Sequence, residues 1–335
     1  MRRVLILGCG NIAGGFDMHR CPSQPALTHA GAYARDGRFQ VVACVEPDAS
    51  RREAFMQRWS VPQGYASPEE LLAACRPGSF EVVSVCAPTG THAEQVQAAL
   101  KLAPRLVFCE KPLATSLVQA QAIVQACEDA DVPLAVNHSR RWAPDVQRLA
   151  VELRSGTWGE VRQATGIYNK GVLNNGSHLV DLLRMLLGEL HLVHAGQACT
   201  DHALDDPSVP AALESAGGVP IQLCTAHAGD YALFELQLVT SRGVITMEDG
   251  GLNWRVRRVT DSPVFSGYRS LDAGSVLPGR YLESMQRAVA NLHDHLEHGT
   301  SLACTGSDAL AAQRLCDRIR REARPASTTP SLLEA

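Results

Sequence analysis

The N-terminal half of the chain alternates continuous apolar runs with stretches of helical spacing. Strands are predicted at RRVLIL, FQVVACVEPD, FEVVSVCAP, RLVFCEKP and VPLAVNHSRRW, and helices at PEELLAA, HAEQVQAALK and SLVQAQAIVQACEDA. Strands that lack polar alternation are typical of a parallel sheet covered by helices on both faces. We therefore expect a doubly wound α/β domain over residues 1–138.

The second half has a different pattern. The segments GVPIQLCTAHAG, YALFELQLVTSRGVITMEDGG and LNWRVRRVTD alternate apolar and polar residues and contain glycine turns. This alternation predicts an antiparallel sheet with one packed face. Two helices are predicted near the end, at YLESMQRAVANLHDHLEHG and GSDALAAQRLCDRIRREA. We expect a second α/β domain over residues 139–325 and a flexible tail at 326–335.

Composition narrows the class of protein. The chain has 335 residues, enough for two domains, and its net charge of -4 argues against nucleic acid as the main partner. No apolar run approaches the roughly 20 residues that span a bilayer, and the run after the basic N-terminus is too short for a signal peptide. These features predict a cytoplasmic protein without membrane attachment.

No metal site is expected. No pair among the 11 cysteines has C-x-x-C spacing, and most of them lie in apolar runs. In HDHLEH at 293–298 the histidines do not share one helix face, which favours a solvated helix.

A glycine motif follows the first strand. Gly8, Gly10 and Ala13 occupy the three small positions of G-x-G-x-x-G/A, the fingerprint of a dinucleotide-binding Rossmann unit. Gly8 would allow the tight turn, Gly10 would admit a pyrophosphate, and Ala13 would let a helix pack closely with the phosphates at its N-terminus. The motif alone is weak, because glycine turns between strand and helix are common.

The second predicted strand ends in Glu46, which would accept hydrogen bonds from the adenine ribose. Its distance from the glycines is longer than usual, and an insertion in FDMHRCPSQPALTHAG can explain the excess. A ribose-facing Glu46 would repel a 2′-phosphate and favour NAD over NADP, although Arg51 and Arg52 could soften that preference. The alternative is a solvated strand end.

Ligands of such sheets bind beyond the carboxyl ends of the strands. Lys111 lies at one of these ends, on the same edge as the glycines. From this edge we predict the cofactor contacts Gly8, Gly10, Asn11, Ile12, Glu46, Ala87, Pro88, Thr89, His92, Glu110 and Lys111. For Glu110 the pattern leaves open whether it contacts the cofactor or makes a structural pair.

A turn and a helix in the second half carry further candidates. The leucines of NNGSHLVDLLRMLLGE form an apolar stripe that predicts a core-facing helix. Asn174, Asn175 and Ser177 crowd its start, where such residues cap free N–H groups. His178 lies in the first turn, where it is either a structural residue or a functional one.

The motifs GCGNIA, APTGTHAEQV, CEKPLA, NHSRRWAP and NNGSHLVDLLRMLLGE, taken in this order, resemble the Gfo/Idh/MocA oxidoreductases, named after glucose–fructose oxidoreductase and inositol dehydrogenase. The resemblance covers essentially the whole chain. It implies a Rossmann domain followed by an α/β domain with a large, mostly antiparallel sheet. The open face of that sheet would form a homodimer or homotetramer interface.

The resemblance also implies roles for single residues. Lys111 matches the lysine that contacts the substrate hydroxyl and the nicotinamide, and His178 matches the histidine that handles the substrate proton. Many members carry a carboxylate four residues before that histidine, where this chain has Asn174. The proton chemistry therefore falls to His178 and Lys111. The expected substrate contacts are Lys111, Asn137, Arg141, Tyr168, Lys170, Asn174, Asn175 and His178.

These residues predict an NAD(H)-dependent enzyme that moves a hydride between nicotinamide and a secondary alcohol or ketone of a sugar, nucleotide sugar or cyclitol. Arg140 and Arg141 suggest an anionic substrate, or a structural ion pair. Two alternatives remain at this point. One is a redox-neutral enzyme that retains its NAD, such as an epimerase or glycosidase, and the other is a non-catalytic dinucleotide-binding regulator.

Overall fold

The computed structural model describes residues 1–21 and 23–325; the predicted tail at 326–335 lies outside them. Within the described residues the chain forms two compact units. The first contains Met1–Gln147 and Arg280–Gln313, and the second contains Arg148–Gly279 and the described residues from Arg314 onward. The predicted domain boundary at 138 and the assignment of 280–313 to the second domain therefore differ from these units.

The first unit is built on a six-stranded parallel sheet in the order β3-β2-β1-β4-β5-β6. This is the order of a Rossmann sheet, so the predicted doubly wound fold is confirmed. The strands are β1 (Arg2–Leu7), β2 (Phe39–Val45), β3 (Gln63–Tyr65), β4 (Val82–Val85), β5 (Leu106–Cys109) and β6 (Leu134–Val136).

The helices of this unit begin at side-chain caps that the sequence supplies. Thr28, Asp48, Ser67 and Ser116 each accept a backbone N–H of the first turn of α1, α2, α3 and α5. The helices are α1 (His29–Asp36), α2 (Ala49–Trp59), α3 (Pro68–Ala74), α4 (His92–Leu100), α5 (Leu117–Asp129) and α6 (Pro144–Arg154), which crosses the unit boundary.

The central strands are apolar because both faces of the sheet are covered. Every residue of β4 and β5 is buried, as are Val4–Leu7 of β1. The same core takes in Met285, Ala288, Val289 and Leu292 of α8 (Ser284–His298). This packing explains why 280–313 belongs to the first unit: the apolar stripe of α8 completes the Rossmann core.

The second unit contains the large sheet. Its order is β16-β15-β14-β13-β7-β12-β11-β8, with β17 paired to β15, and only the β7–β12 pair among these neighbours is parallel. The predicted, mostly antiparallel sheet is therefore confirmed. Its strands are β7 (Val161–Tyr168), β8 (Leu190–Ala195), β11 (Ala211–Ser215), β12 (Pro220–Thr225), β13 (Phe234–Thr240), β14 (Gly243–Glu248), β15 (Asn253–Asp261), β16 (Arg269–Leu271) and β17 (Ser275–Pro278).

A small hairpin of β9 (Cys199–Ala203) and β10 (Asp206–Ser208) stands apart from this sheet. The helices are α7 (Ser177–Leu187), whose leucine stripe is buried as predicted, and the end of α9 (Gly306–Glu322). None of the helices in the described residues combines the length and the apolar character that a membrane span requires.

Candidate active site

The glycine loop after β1 has the geometry that a dinucleotide requires. Gly8 has φ +89°, and a Cβ there would lie 2.7 Å from the Ala87 backbone, so only glycine fits. At Gly10 a Cβ would meet nothing within 4 Å. The loop therefore offers open space beside bare backbone, as the close approach of a pyrophosphate demands.

The segment after this loop differs from the prediction. No α-helix begins at the glycines: turns and a short 3-10 helix (Gly15–Asp17) follow, and α1 starts only at His29. The inserted segment is tied back by Asp17, which is 1% exposed and accepts the backbone N–H groups of Leu27 and Thr28, both at 2.9 Å. A phosphate at the glycines would thus face a single turn rather than the N-terminus of a long helix.

Glu46 lies at the end of β2 beside the glycine loop. Its carboxylate accepts the backbone N–H of Cys9 at 2.9 Å and that of Asp48 at 3.2 Å. Arg51 approaches Oε1 to 3.2 Å. The acidic group therefore stands at the glycines despite the long insertion, with one cation already paired to it.

His92 holds two loops of this edge together. It is buried, with Nε2 2.9 Å from the Ala87 carbonyl oxygen and Nδ1 3.1 Å and 3.2 Å from those of Pro112 and Leu113. Both ring nitrogens face backbone carbonyls. The geometry gives His92 a supporting place behind the predicted cofactor edge, whereas Ala87 and Thr89 are partly exposed and Pro88 is exposed.

Glu110 is likewise turned inward. Its Oε1 lies 2.8 Å from His29 Nε2 and accepts a hydrogen bond from Asn137 Nδ2 at 2.6 Å. Burial opposes its charge, but the hydrogen bonds from His29 and Asn137 and the charge of Lys111 hold the Glu110 pKa below its ordinary value. These contacts favour the structural alternative for Glu110 and also occupy the Asn137 amide. Lys111, the next residue after Glu110, is partly exposed.

Arg141 is also engaged inside the first unit. It is 7% exposed, donates to the Ala303 carbonyl oxygen at 3.1 Å, and lies 3.5 Å from Asp308. The guanidinium of Arg140 stacks on the Tyr281 ring at 4.9 Å. For Arg141 the ion pair favours the structural alternative over a substrate contact.

In the second unit, the turn before α7 is a π-helix (Gly171–Gly176) rather than a simple loop. The expected capping is not what holds it: no side chain caps α7 at its start, and Asn174 Nδ2 donates to the Lys170 carbonyl oxygen at 3.1 Å. π-Helical turns occur frequently at functional sites. Asn174, Asn175 and His178 are partly exposed on this turn and the first turn of α7.

Side chains of the β9–β10 hairpin support this turn. Asp201 accepts the backbone N–H of Lys170 at 2.9 Å, and Ser208 accepts that of Gly171 at 2.9 Å. Lys170 adopts φ +65°, a strained conformation for a residue with a side chain. The hairpin thus fixes the backbone that presents Asn174 and His178.

The structure argues against the expected contact of Tyr168 with the substrate. Its side chain is fully buried, and its hydroxyl donates to the Val209 carbonyl oxygen at 2.8 Å and accepts from the Val209 N–H at 3.0 Å. Burial raises its pKa well above the ordinary value. Tyr168 fastens β7 to the segment after β10, so we remove it from the expected substrate contacts.

Sequence reasoning missed the residues that support these loops: His29, Asp17, Asp201, Ser208 and Asp206, whose carboxylate accepts the backbone N–H groups of Leu173 and Asn174. His29 and Glu110 are 81 positions apart, and no spacing in the sequence joins them. The described residues contain no group of three or more His, Cys, Asp or Glu side chains placed to hold a metal ion.

The arrangement of the first unit shows which class of domain it is. A 3-2-1-4-5-6 parallel sheet with open space at Gly10 and an acid at the end of β2 is a dinucleotide-binding domain. Residues that would hold the cofactor are the loop at Gly8–Ile12, Glu46 and the segment at Ala87–Thr89.

Comparison with known proteins finds a family similar to the first domain. Residues 2–138 match the model of the GFO/IDH/MocA family, described as an oxidoreductase family with an NAD-binding Rossmann fold. The first domain is thus similar to this oxidoreductase family, in agreement with the resemblance and with the expected nicotinamide dinucleotide.

Relatives extend the similarity beyond this domain. A D-apiose dehydrogenase of Paraburkholderia graminis is 25% identical over 332 residues, which is 90% of this chain and 85% of that protein. An inositol 2-dehydrogenase of Rhizobium meliloti is 24% identical, over 88% of this chain and 92% of that one.

A solved structure shares the fold of most of the chain. The WlbA dehydrogenase of Bordetella pertussis, crystallised with NADH and UDP-GlcNAcA, has a TM-score of 0.75 at 20% identity and 96% coverage of both chains. At this identity the match shows the fold, and it includes the large sheet of the second half.

Proposed function

We propose that this protein is an NAD(H)-dependent oxidoreductase that moves a hydride between nicotinamide and a secondary alcohol or ketone of a sugar, nucleotide sugar or cyclitol. The observation that carries the proposal is the position of Lys111 just beyond the end of β5, on the sheet edge that also carries the glycine loop. The curated relatives named above are dehydrogenases of a sugar and a cyclitol, which supports this substrate class.

When bound, the nicotinamide supplies the hydride chemistry. The protein must then hold the substrate carbinol and take or give its hydroxyl proton. We assign the proton to His178 Nε2 or Nδ1, since imidazole exchanges a proton near neutral pH. The Lys111 ammonium would stabilise negative charge that develops on the substrate oxygen.

Asn174 changes how the proton is shared. An amide can orient a hydroxyl but cannot accept its proton, and the Nδ2 group of Asn174 already donates to the Lys170 carbonyl oxygen. Proton transfer therefore rests on His178 with the help of Lys111. We propose that Lys170, Asn174 and Asn175 bind the other hydroxyls of the substrate.

Glu46 supports NAD over NADP. Its carboxylate stands beside the Cys9 N–H, so a ribose bound next to the glycine loop would meet a negative charge where NADP carries a phosphate. Arg51 pairs with that same carboxylate and is thereby drawn away from a phosphate.

A further proposal concerns assembly. The β15–β17 region exposes apolar side chains: Phe265 is 64% exposed and Tyr268 is 70% exposed, and Val276 and Leu277 of β17 are also exposed. An apolar patch of this kind marks an interaction surface on a folded protein. We propose a homodimer or homotetramer through this sheet, and the cytoplasmic location expected from the sequence stays a prediction.

The proposed function is tested with a panel of sugars, cyclitols and nucleotide sugars incubated with NAD or NADP while absorbance at 340 nm is followed. We expect NADH to form with at least one secondary alcohol, and to be consumed with the matching ketone. Product formation with no net NADH, together with cofactor that stays bound through purification, would instead identify a redox-neutral enzyme. Tight NAD binding without turnover on any substrate would identify a regulator.

A further inference from the structure

His29 is the first residue of α1 and is fully buried against the end of β5. Its ring lies on Phe108 with the two centroids 4.6 Å apart, and its Nε2 points at Glu110 Oε1 at 2.8 Å. Carboxylate oxygens only accept hydrogen bonds when ionised, so the hydrogen of this pair is on Nε2.

The insertion after the glycine loop fixes where His29 stands. Asp17 accepts the hydroxyl of Thr28 at 2.6 Å in addition to the Thr28 N–H, and Thr28 in turn caps α1 by accepting the Gly31 N–H at 3.1 Å. These hydrogen bonds hold the start of α1 in place, and with it the ring of His29 beside Glu110.

Glu110 is a buried carboxylate with a full set of donors. Besides His29 it binds Asn137 Nδ2 at 2.6 Å, and its Oε2 lies 3.3 Å from the Lys111 backbone N–H. The other titratable groups that feel its charge are the buried thiols of Cys86 and Cys109, whose pKa values burial and this charge hold well above the ordinary value. Glu110 is thus the one negative charge of this group, next in the chain to Lys111.

We infer that His29 is a positioning residue for Lys111 that acts through Glu110. This inference rests on the proposed function, in which Lys111 acts on the substrate oxygen as an ammonium. By donating to Glu110, His29 keeps that carboxylate ionised and fixed, and the ionised carboxylate favours the charged form of the neighbouring Lys111. Without the Nε2 hydrogen, Glu110 loses one of its two side-chain donors, and a buried carboxylate with fewer donors takes up a proton more easily.

The test is the pH dependence of kcat in His29→Leu, His29→Gln and Glu110→Gln, with cofactor Kd measured alongside. We expect the alkaline limb of the profile, where the Lys111 ammonium loses its proton, to move down by about one pH unit in Glu110→Gln, which deletes the charge. It should move in the same direction by a smaller amount in His29→Leu, which leaves the carboxylate charged but less firmly held. His29→Gln keeps an N–H donor and should return the limb toward the wild-type position.

Tyr33→Phe is the matched control, because it deletes another buried hydrogen bond of α1, the 2.8 Å contact between Tyr33 and Ser84. It should lower Tm without moving the limb. An unshifted limb in His29→Leu, or an equal shift in Tyr33→Phe, would overturn the inference. If His29→Leu does not fold, an unshifted limb in Glu110→Gln overturns it equally. Full turnover in Lys111→Met would instead refute the proposed function itself, whatever the His29 variants do.

Discussion

Asp206 accepts the backbone N–H of Asn174 at 2.8 Å through one carboxylate oxygen, while its other oxygen accepts the N–H of Leu173 at the same distance. One side chain of the β9–β10 hairpin thus holds two successive N–H groups of the π-helix that precedes His178. A Cβ at Gly171 would lie 2.2 Å from this carboxylate, so the turn and Asp206 are fitted closely to each other.

Asp206→Ala should therefore loosen this turn. Leaving two partly buried N–H groups without their acceptor is expected to lower the free energy of unfolding by about 1–3 kcal/mol. Substrate KM should rise at the same time, since Asn174 is displaced. Denaturant unfolding and steady-state kinetics measure the two effects, and Asp205→Ala, at an exposed neighbouring position, is the control. Equal behaviour of the two variants would contradict this role.

The loss of stability in Asp206→Ala should depend on pH, and the direction of that dependence can be derived. Burial raises the Asp206 pKa, although the N–H groups of Leu173 and Asn174 lower it in part. Because the folded state binds the proton more tightly than the unfolded state, the contribution of Asp206 to stability is largest below the ordinary pKa of 3.8. It falls as the pH rises through the raised value. The destabilisation by Asp206→Ala should therefore be larger at acidic pH than at neutral pH; a difference that grows with pH would contradict the assignment.

Glu46→Gln tests the choice of cofactor. It removes the negative charge beside the Cys9 N–H and releases Arg51, so the affinity for NADPH should rise relative to that for NADH by about tenfold, equivalent to 1.4 kcal/mol. Fluorescence titration with both cofactors gives the ratio. In Arg51→Ala the ratio should move the other way or stay unchanged. If neither substitution alters the ratio, Glu46 does not face the ribose.

Tyr168→Phe tests the correction made above. The buried hydroxyl bonds to both backbone groups of Val209, so its removal should lower the free energy of unfolding by about 1–3 kcal/mol. Values of kcat and KM should stay close to wild type when they are measured well below the melting temperature. A selective rise in KM with unchanged Tm would restore Tyr168 as a substrate residue.

Much of the fold could be predicted because burial on both sheet faces leaves a direct mark on the sequence. The apolar runs of β1, β4 and β5 and the leucine stripe of α7 are such marks, and all of them are found where expected. The placement of 280–313 could not be predicted in this way. The apolar stripe of α8 indicates that the helix packs against a core, but it does not indicate which of the two cores.

The functional residues show the same difference between what a sequence pattern can predict and what it cannot. Lys111 and Glu46 were predictable because a parallel sheet brings the ends of all its strands to one edge. His29, Asp17 and Asp206 were not, since each acts through a contact with a distant part of the chain that leaves no periodic pattern. The inward turn of Glu110 and the burial of Tyr168 are side-chain directions, and these depend on packing rather than on motif.

The central claim is that Lys111 and His178 carry the proton chemistry of hydride transfer. The most direct measurement is kcat for Lys111→Met and His178→Asn on a substrate found in the panel, with folding and NADH affinity verified for each variant. The account predicts that kcat falls by about 10²–10⁴-fold in each, while NADH still binds. Turnover close to wild type in both variants would contradict it.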